Sequence, residues 1–302
     1  MELGIVGLGR MGGKMAQRLL DGGHRIIAFD PVKEAVEAAV RQGAIGTSSL
    51  ADLAEKLARP RTVWLMVPSG GPTENTINNL AAVLAPGDIL IDGGNSNYKD
   101  SMRRAKALSE KGIILLDVGT SGGIWGLKEG YCLMVGGDKD AYNRLESVFQ
   151  TLAPSPEHGY GHVGPSGAGH FVKMVHNGIE YGLMQSFAEG FELMQAKKEL
   201  RLNLHEIAVI WRYGSVIRSW LLDLTAAALK EDPKMENIEP FVEDSGEGRW
   251  CVQESIDLAV SVPVITQALQ IRFRSREEKC FGDKLLAALR QQFGGHAVRK
   301  AN

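Results

Sequence analysis

Cysteine is scarce in this sequence: among 302 residues there are three, Cys132, Cys251 and Cys280. They stand far apart and in no metal-ligand spacing, which excludes a disulfide framework and a thiolate metal centre. Reduced thiols in a cytosolic protein are the expectation. Long apolar runs are also missing, and none approaches the roughly 18 residues that cross a bilayer. The run Gly4-Ile5-Val6 starts almost at Met1, leaving no room for a targeting segment, so a cytoplasmic location is expected. Excess charge is lacking too. With 34 basic and 36 acidic side chains the formal net charge is −2, which gives no electrostatic case for binding nucleic acid or an anionic membrane. An anionic ligand must therefore be held by a few local cations. Low-complexity tracts and internal repeats are absent.

What is present is enough apolar side chain, 44%, to bury a sizeable core, in a chain whose length fits two domains. The first half alternates short apolar runs with helical periodicity. Strands are predicted at 3–6, 25–29, 63–67, 89–92, 113–117 and 131–135, and helices at 11–22 and 33–42, the latter stopped by Gly43. This alternation predicts a parallel, doubly wound α/β sheet. From about residue 166 the pattern is helical nearly throughout. The Gly- and Pro-rich segment 158–165 reads as the joint. The expected architecture is a dinucleotide-binding Rossmann domain over 1–162 and an all-α domain over 163–302.

The Rossmann assignment rests on Gly7-Leu8-Gly9-Arg10-Met11-Gly12, a G-x-G-x-x-G placed directly after a strand and opening a helix. Gly7 permits the tight turn, Gly9 lets backbone approach a pyrophosphate, and Gly12 lets helix and strand pack closely. The helix start offers free N–H groups and a positive dipole to phosphates. Asp30, at the end of the second strand, lies about 20 residues on, where an acid accepts hydrogen bonds from ribose hydroxyls. A mere strand-to-helix turn, with Asp30 capping a loop, does not account for strand, glycines, helix and acid occurring together. Val67, Pro68 and Asn95 are further candidates for cofactor contact. A carboxylate at 30 repels a 2′-phosphate and no arginine follows it, so NAD is expected over NADP, with Arg10 and Lys33 the cations nearest to argue otherwise.

The most informative stretch is the predicted helix around Lys173. Lys173, His176, Asn177, Glu180 and Tyr181 recur at i, i+3, i+4, i+7 and i+8, on one helical face. Phe171, Val172, Met174, Val175, Ile179 and Leu183 surround them, the reverse of an ordinary surface helix. A solvated Lys–Glu face would carry polar neighbours, which are absent. The helix is therefore expected to be buried, its polar stripe lining a cleft. Burial favours the neutral amine, suiting Lys173 to general-base work, with Glu180 as the complementary acid.

These residues resemble the β-hydroxyacid dehydrogenases, and within them the decarboxylating 6-phosphogluconate branch. The resemblance runs through the glycine turn, Asp92-Gly93-Gly94-Asn95-Ser96, Gly119-Thr120-Ser121-Gly122-Gly123 and the helix from Lys173 to Tyr181. It ends with Gly246-Glu247-Gly248-Arg249-Trp250 and the tail Phe293-Gly294-Gly295-His296. It implies oxidative decarboxylation of 6-phosphogluconate to ribulose 5-phosphate and CO2, with Lys173 as base and then acid, and Glu180 as acid. No metal is implied. Asn95, Ser121, Gly122, Gly123, His176 and Asn177 would position the carboxylate and hydroxyls, and Tyr181, Arg249, Arg272, Arg290 and His296 the phosphate. Arg274 and Arg276 are read instead as a solvated helix end. Cys251 stands where long-chain relatives carry threonine, and Arg249 where they carry lysine. In long-chain relatives the tail reaches the partner subunit's site, so a homodimer or larger homo-oligomer is implied. The chain lacks the second half of their helical domain, which points to a short class, and Asp30-Pro31-Val32 stands where they tend to carry Asn-Arg-Thr, which again points to NAD. Two alternatives are a sibling enzyme acting on a smaller acid such as 3-hydroxyisobutyrate, which would not need the arginines, and a dinucleotide-binding regulator without turnover, which would not need Lys173 and Glu180.

Overall fold

In the computed structural model, residues 1–277, 280–294 and 297–299 are described. The chain divides into two compact units, Met1–Asn177 and Gly178–Asn302. The first holds an eight-stranded sheet: β1 Glu2–Val6, β2 Arg25–Phe29, β3 Ile45–Gly46, β4 Thr62–Leu65, β5 Ile89–Asp92, β6 Ile114–Ser121, β7 Cys132–Gly136 and β8 Tyr160–Gly164. Their spatial order is β3-β2-β1-β4-β5-β6-β7-β8. The first six run parallel, as the βα alternation predicts.

Residues along each strand alternate between two cores. Leu3, Ile5, Ile26, Ala28, Trp64, Ile89 and Ile91 join Met15 and Leu19 of helix Gly12–Asp21 and Phe149 of helix Glu146–Leu152. Val6, Ile27, Val63, Leu65 and Leu90 join Leu53, Ile77 and Leu108 from helices Leu50–Lys56, Gly71–Ala81 and Tyr98–Ser109. A strand covered on both faces reads as a continuous apolar run, which is why these strands are legible in sequence.

Two expectations are corrected. The sheet is not parallel throughout: β7 runs antiparallel to β6, with Ser121 opposite Cys132. Only residues 122–131 connect the two strands, with short helical turns but no crossover helix long enough to return the chain in the same direction. The presumed joint at 158–165 contains β8, paired parallel to β7. Its glycines, Gly161 and Gly164, mask a short edge strand, a position where weak strand formers are tolerated.

Among the described residues the second unit contains only helices, as expected. They are the remainder of Ala168–Ala196, then Leu204–Trp211, Trp220–Glu231, Glu247–Asp257, Pro263–Arg274 and Phe281–Gly294, with a short 3₁₀ turn at Lys198–Leu200. Two small clusters form its core, around Phe191, Leu222 and Leu229 and around Tyr181, Ala268 and Leu269. Many large apolar side chains remain exposed, Leu193, Ile210, Val216 and Ile256 among them.

A charged network braces the loop after β5. Arg104, whose side chain is 2% exposed, pairs with Glu74 at 2.8 Å and Asp92 at 3.5 Å, and Arg103 pairs with Glu74 at 2.6 Å. The Arg103 guanidinium holds the Glu74 carboxyl well below its ordinary 4.5, at about 2, with Arg104 adding to the effect. A depressed folded-state value means that this contribution to stability is complete above about pH 4.5 and is lost as pH falls toward 2. Glu74→Gln should therefore flatten the acid limb: the fall in melting temperature between neutral and acid pH shrinks relative to wild type. An unchanged pH profile would show that Glu74 titrates normally.

Candidate active site

β1 delivers the chain into the glycine turn. Gly7 has φ +92°, and a Cβ there would lie 2.4 Å from the Met66 carbonyl oxygen. A Cβ on Gly12 would lie 1.9 Å from the Gly7 carbonyl oxygen, which makes glycine obligatory for that helix start. Gly9 differs, since no protein atom comes within 4 Å of a Cβ built on it. Nothing in the fold requires glycine at 9, and the open side suits a closely approaching ligand backbone. Asp30 accepts hydrogen bonds from Leu8 N at 2.7 Å and Val32 N at 2.8 Å, so it ties the turn to the end of β2. Each carboxylate oxygen keeps a second lone pair for a hydroxyl. Val67 lies beside Gly7, and Thr73 Oγ1 donates to the Pro68 carbonyl to hold the following loop. Arg10 is exposed, and Met11 packs against the core. These residues fit a dinucleotide.

The helix bearing Lys173 is Ala168–Ala196. Asp117, buried on β6, accepts from Gly167 N at 2.7 Å and His170 N at 2.9 Å, capping the helix start. Gly119 gives the helix its close seat, because a Cβ there would stand 2.4 Å from Lys173 Cβ. Lys173 and Asn177 are buried and His176 is half-buried. His176 Nδ1 meets Lys173 Nζ at 3.4 Å and Asn177 Oδ1 at 3.0 Å, while its Nε2 meets Ser121 Oγ at 3.5 Å. One imidazole can therefore serve both charge states of the lysine. An ammonium donates to a bare Nδ1, and when the amine is neutral the ring proton sits on Nδ1 and donates to Asn177 Oδ1. Gly122 and Gly123 follow Ser121 with φ +123° and +52°. Asn95 is exposed in a loop pinned by Asp92, which accepts from Gly94 N at 3.2 Å and Ser96 Oγ at 2.7 Å.

Thus the first unit brings Ser121, Lys173, His176 and Asn177 together. Sequence reasoning missed Asp117, which seats the start of the lysine helix, and Glu74 and Arg104, which brace the loop carrying Asn95. Only the burial of a charged residue within a helix face signals such a role, and burial cannot be read from an arginine in isolation.

In the second unit Tyr181 is buried, its hydroxyl accepting from Ser245 N at 3.3 Å. The Arg272 guanidinium stacks on the Tyr181 ring at 3.5 Å and donates to the Glu243 carbonyl at 3.0 Å. Arg249 donates to the Asp244 carboxylate through Nε at 2.6 Å and Nη2 at 3.1 Å, and this holds the Asp244 carboxyl below its ordinary range. Arg274 keeps the solvated role read from sequence, paired with Glu277 and Asp283 at the surface. Arg276 does not: it turns inward, its side chain 24% exposed, to Asp244 at 2.8 Å. The charge run looked uniform, but Arg276 lies two residues beyond the end of helix Pro263–Arg274, where Ser275 Oγ accepts from Val242 N at 3.0 Å and sets the helix end beside Asp244. Cys251 packs against Gly178, and burial raises its thiol. Glu180 is half-buried on its helix, and Arg290 is exposed on helix Phe281–Gly294. His296 lies outside the described residues.

Residues 2–163 match the NAD binding domain of 6-phosphogluconate dehydrogenase, and residues 169–281 match the 6-phosphogluconate dehydrogenase C-terminal domain. The NAD(+)-dependent, decarboxylating 6-phosphogluconate dehydrogenase of Haloferax volcanii is 45% identical over 301 residues, covering 99% of each chain. The solved 6-phosphogluconate dehydrogenase of Plasmodium falciparum superposes with a TM-score of 0.84 at 29% identity, over 100% of this chain and 66% of that one. A Mycobacterium tuberculosis 3-hydroxyisobutyrate dehydrogenase, at 22% identity and a TM-score of 0.73, shares the fold. With the glycine turn and the lysine helix in place on that fold, the chain belongs to the 6-phosphogluconate dehydrogenase family of oxidoreductases.

Proposed function

We propose that the protein converts 6-phospho-D-gluconate to D-ribulose 5-phosphate and CO2 while reducing NAD. The observation that carries this is the contact chain Ser121–His176–Lys173, with Asn177 on the same imidazole, set in a buried face. A bound nicotinamide supplies the acceptor for the hydride that leaves C3. Lys173 takes the proton of the 3-hydroxyl as that hydride departs, leaving a 3-keto acid. The carboxylate then leaves as CO2, its bonding electrons moving toward the ketone, and protonated Lys173 returns a proton to that oxygen. Glu180 protonates the carbon that held the carboxylate, while Lys173 recovers the hydroxyl proton to regenerate the ketone. Asn95, Ser121, Gly122, Gly123, His176 and Asn177 orient the hydroxyls and carboxylate.

The phosphate falls to Tyr181, Arg249 and Arg272, joined by Arg290 and His296 of a partner's tail. A smaller 3-hydroxy acid would leave the arginines without a ligand. Asp30 favours NAD, because its charge opposes a 2′-phosphate. The exposed apolar side chains of the second unit, Val216 at 99% exposure foremost, support an assembly of at least two chains.

The deciding experiment is dinucleotide reduction with 6-phosphogluconate, run with NAD and NADP separately. Turnover with NAD is expected to exceed that with NADP. No turnover with either removes the proposal, and a clear NADP preference removes the role given to Asp30. Light scattering of the same preparation should read above the 32.8 kDa monomer.

A further inference from the structure

We propose that Arg276 binds the substrate phosphate, set beside Arg249 by the buried carboxylate of Asp244. This rests on the reading that 6-phosphogluconate is the substrate. The Asp244 side chain is 3% exposed and takes two guanidiniums at once. Arg249 approaches through Nε and Nη2, and Arg276 Nη1 reaches the oxygen that Arg249 Nη2 also contacts, Oδ1. Both guanidinium groups also lie over the Phe273 ring, at 4.5 and 5.3 Å from its centroid. One acid and one ring thus fix two planar cations from different segments of the chain.

Among the described residues the pair is under-neutralised, with two positive charges against one negative. It is also under-committed. A guanidinium carries five N–H donors. Among the described residues Arg249 commits two to hydrogen bonds and Arg276 one. Arg272, four residues before Arg276, adds a third guanidinium held on Tyr181. The other buried carboxylate nearby, Glu247 at the start of helix Glu247–Asp257, accepts the Ser245 hydroxyl and pairs with no arginine among the described residues. A cluster built only for stability would match its charges. This one holds planar donors in surplus, the arrangement that recognises a phosphate monoester dianion. Asp244 is then a positioning residue, and Arg276 a binding residue that the helix-end charge run concealed.

Calorimetric titration of 6-phosphogluconate into the full-length protein, with kcat/KM for 6-phosphogluconate and for unphosphorylated gluconate, tests this. Arg276→Gln should weaken 6-phosphogluconate binding about tenfold and lower the preference over gluconate by a similar factor, the usual scale for one charge-assisted contact. Arg276→Lys should recover part of the loss. Asp244→Asn should also weaken binding, although it removes a negative charge near the phosphate, because both guanidiniums lose their anchor. Equal affinity and intact preference in Arg276→Gln would overturn the assignment. Tighter binding by Asp244→Asn would overturn it as well, since the carboxylate would then be competing with the phosphate. Should Arg276→Gln fail to fold, Asp244→Asn decides on the same readouts. Wild-type protein that neither binds nor turns over 6-phosphogluconate removes instead the substrate reading beneath the assignment.

Discussion

Lys173→Met should lower the turnover of 6-phosphogluconate by about 10²–10⁴-fold, the range carried by a positioned general acid–base group. Methionine keeps the length and apolar stem of the lysine, so the seat against Gly119 and β6 is preserved and the fold should persist. What disappears is the amine proposed to take the 3-hydroxyl proton and later return it. Dinucleotide binding, which we assign to the turn from Gly7 to Gly12, should survive in this variant. Steady-state reduction of NAD, paired with fluorescence titration of the dinucleotide, separates the two effects. A near-normal rate would remove Lys173 from the mechanism. Loss of both rate and dinucleotide binding would show that the substitution had damaged the fold, and Lys173→Arg would then have to be measured in its place.

The paired substitutions Gly12→Ala and Gly9→Ala should separate fold from ligand within one motif. At Gly12 the new methyl meets a backbone carbonyl at 1.9 Å, and backbone cannot rotate away as a side chain can. Overpacking of this kind costs about 1–3 kcal/mol or more. Each kcal/mol lowers the melting temperature by about 2–4 °C in a protein of similar size. Gly9 has open space where the methyl would stand, so Gly9→Ala should melt with wild type in the absence of dinucleotide. Its dinucleotide affinity should nonetheless fall by about tenfold or more, because the methyl occupies the approach of the pyrophosphate. Thermal melting with and without NAD reads both outcomes. Equal destabilisation by the two substitutions would assign Gly9 to the fold and not to the cofactor.

The parts of the molecule legible in its sequence are those governed by near neighbours. The strands β1, β2, β4 and β5 are buried on both faces and announce themselves as apolar runs. The glycine turn is compressed into six residues whose steric demands are local. The stripe from Lys173 to Tyr181 follows from helical periodicity alone. β8 escaped notice because two glycines in five residues erase the strand signal. The reversal of β7 escaped because an apolar run has no direction: a buried strand reads the same whether it runs with its neighbour or against it. Of the three arginines in Arg272-Phe273-Arg274-Ser275-Arg276, one faces surface acids and another faces Asp244, a difference no charge pattern expresses.

The sequence alone established the class of fold and singled out the glycine turn and the lysine helix proposed for cofactor binding and proton transfer, because the information for each lies within a few turns of chain. Folding was needed to decide which distant groups hold those residues in place. Asp117 caps a helix fifty residues away, Arg104 joins Glu74 to Asp92, and Asp244 gathers Arg249 and Arg276. Such pairings depend on how remote segments are brought together, and burial then strengthens them by excluding the water that would screen exposed charges.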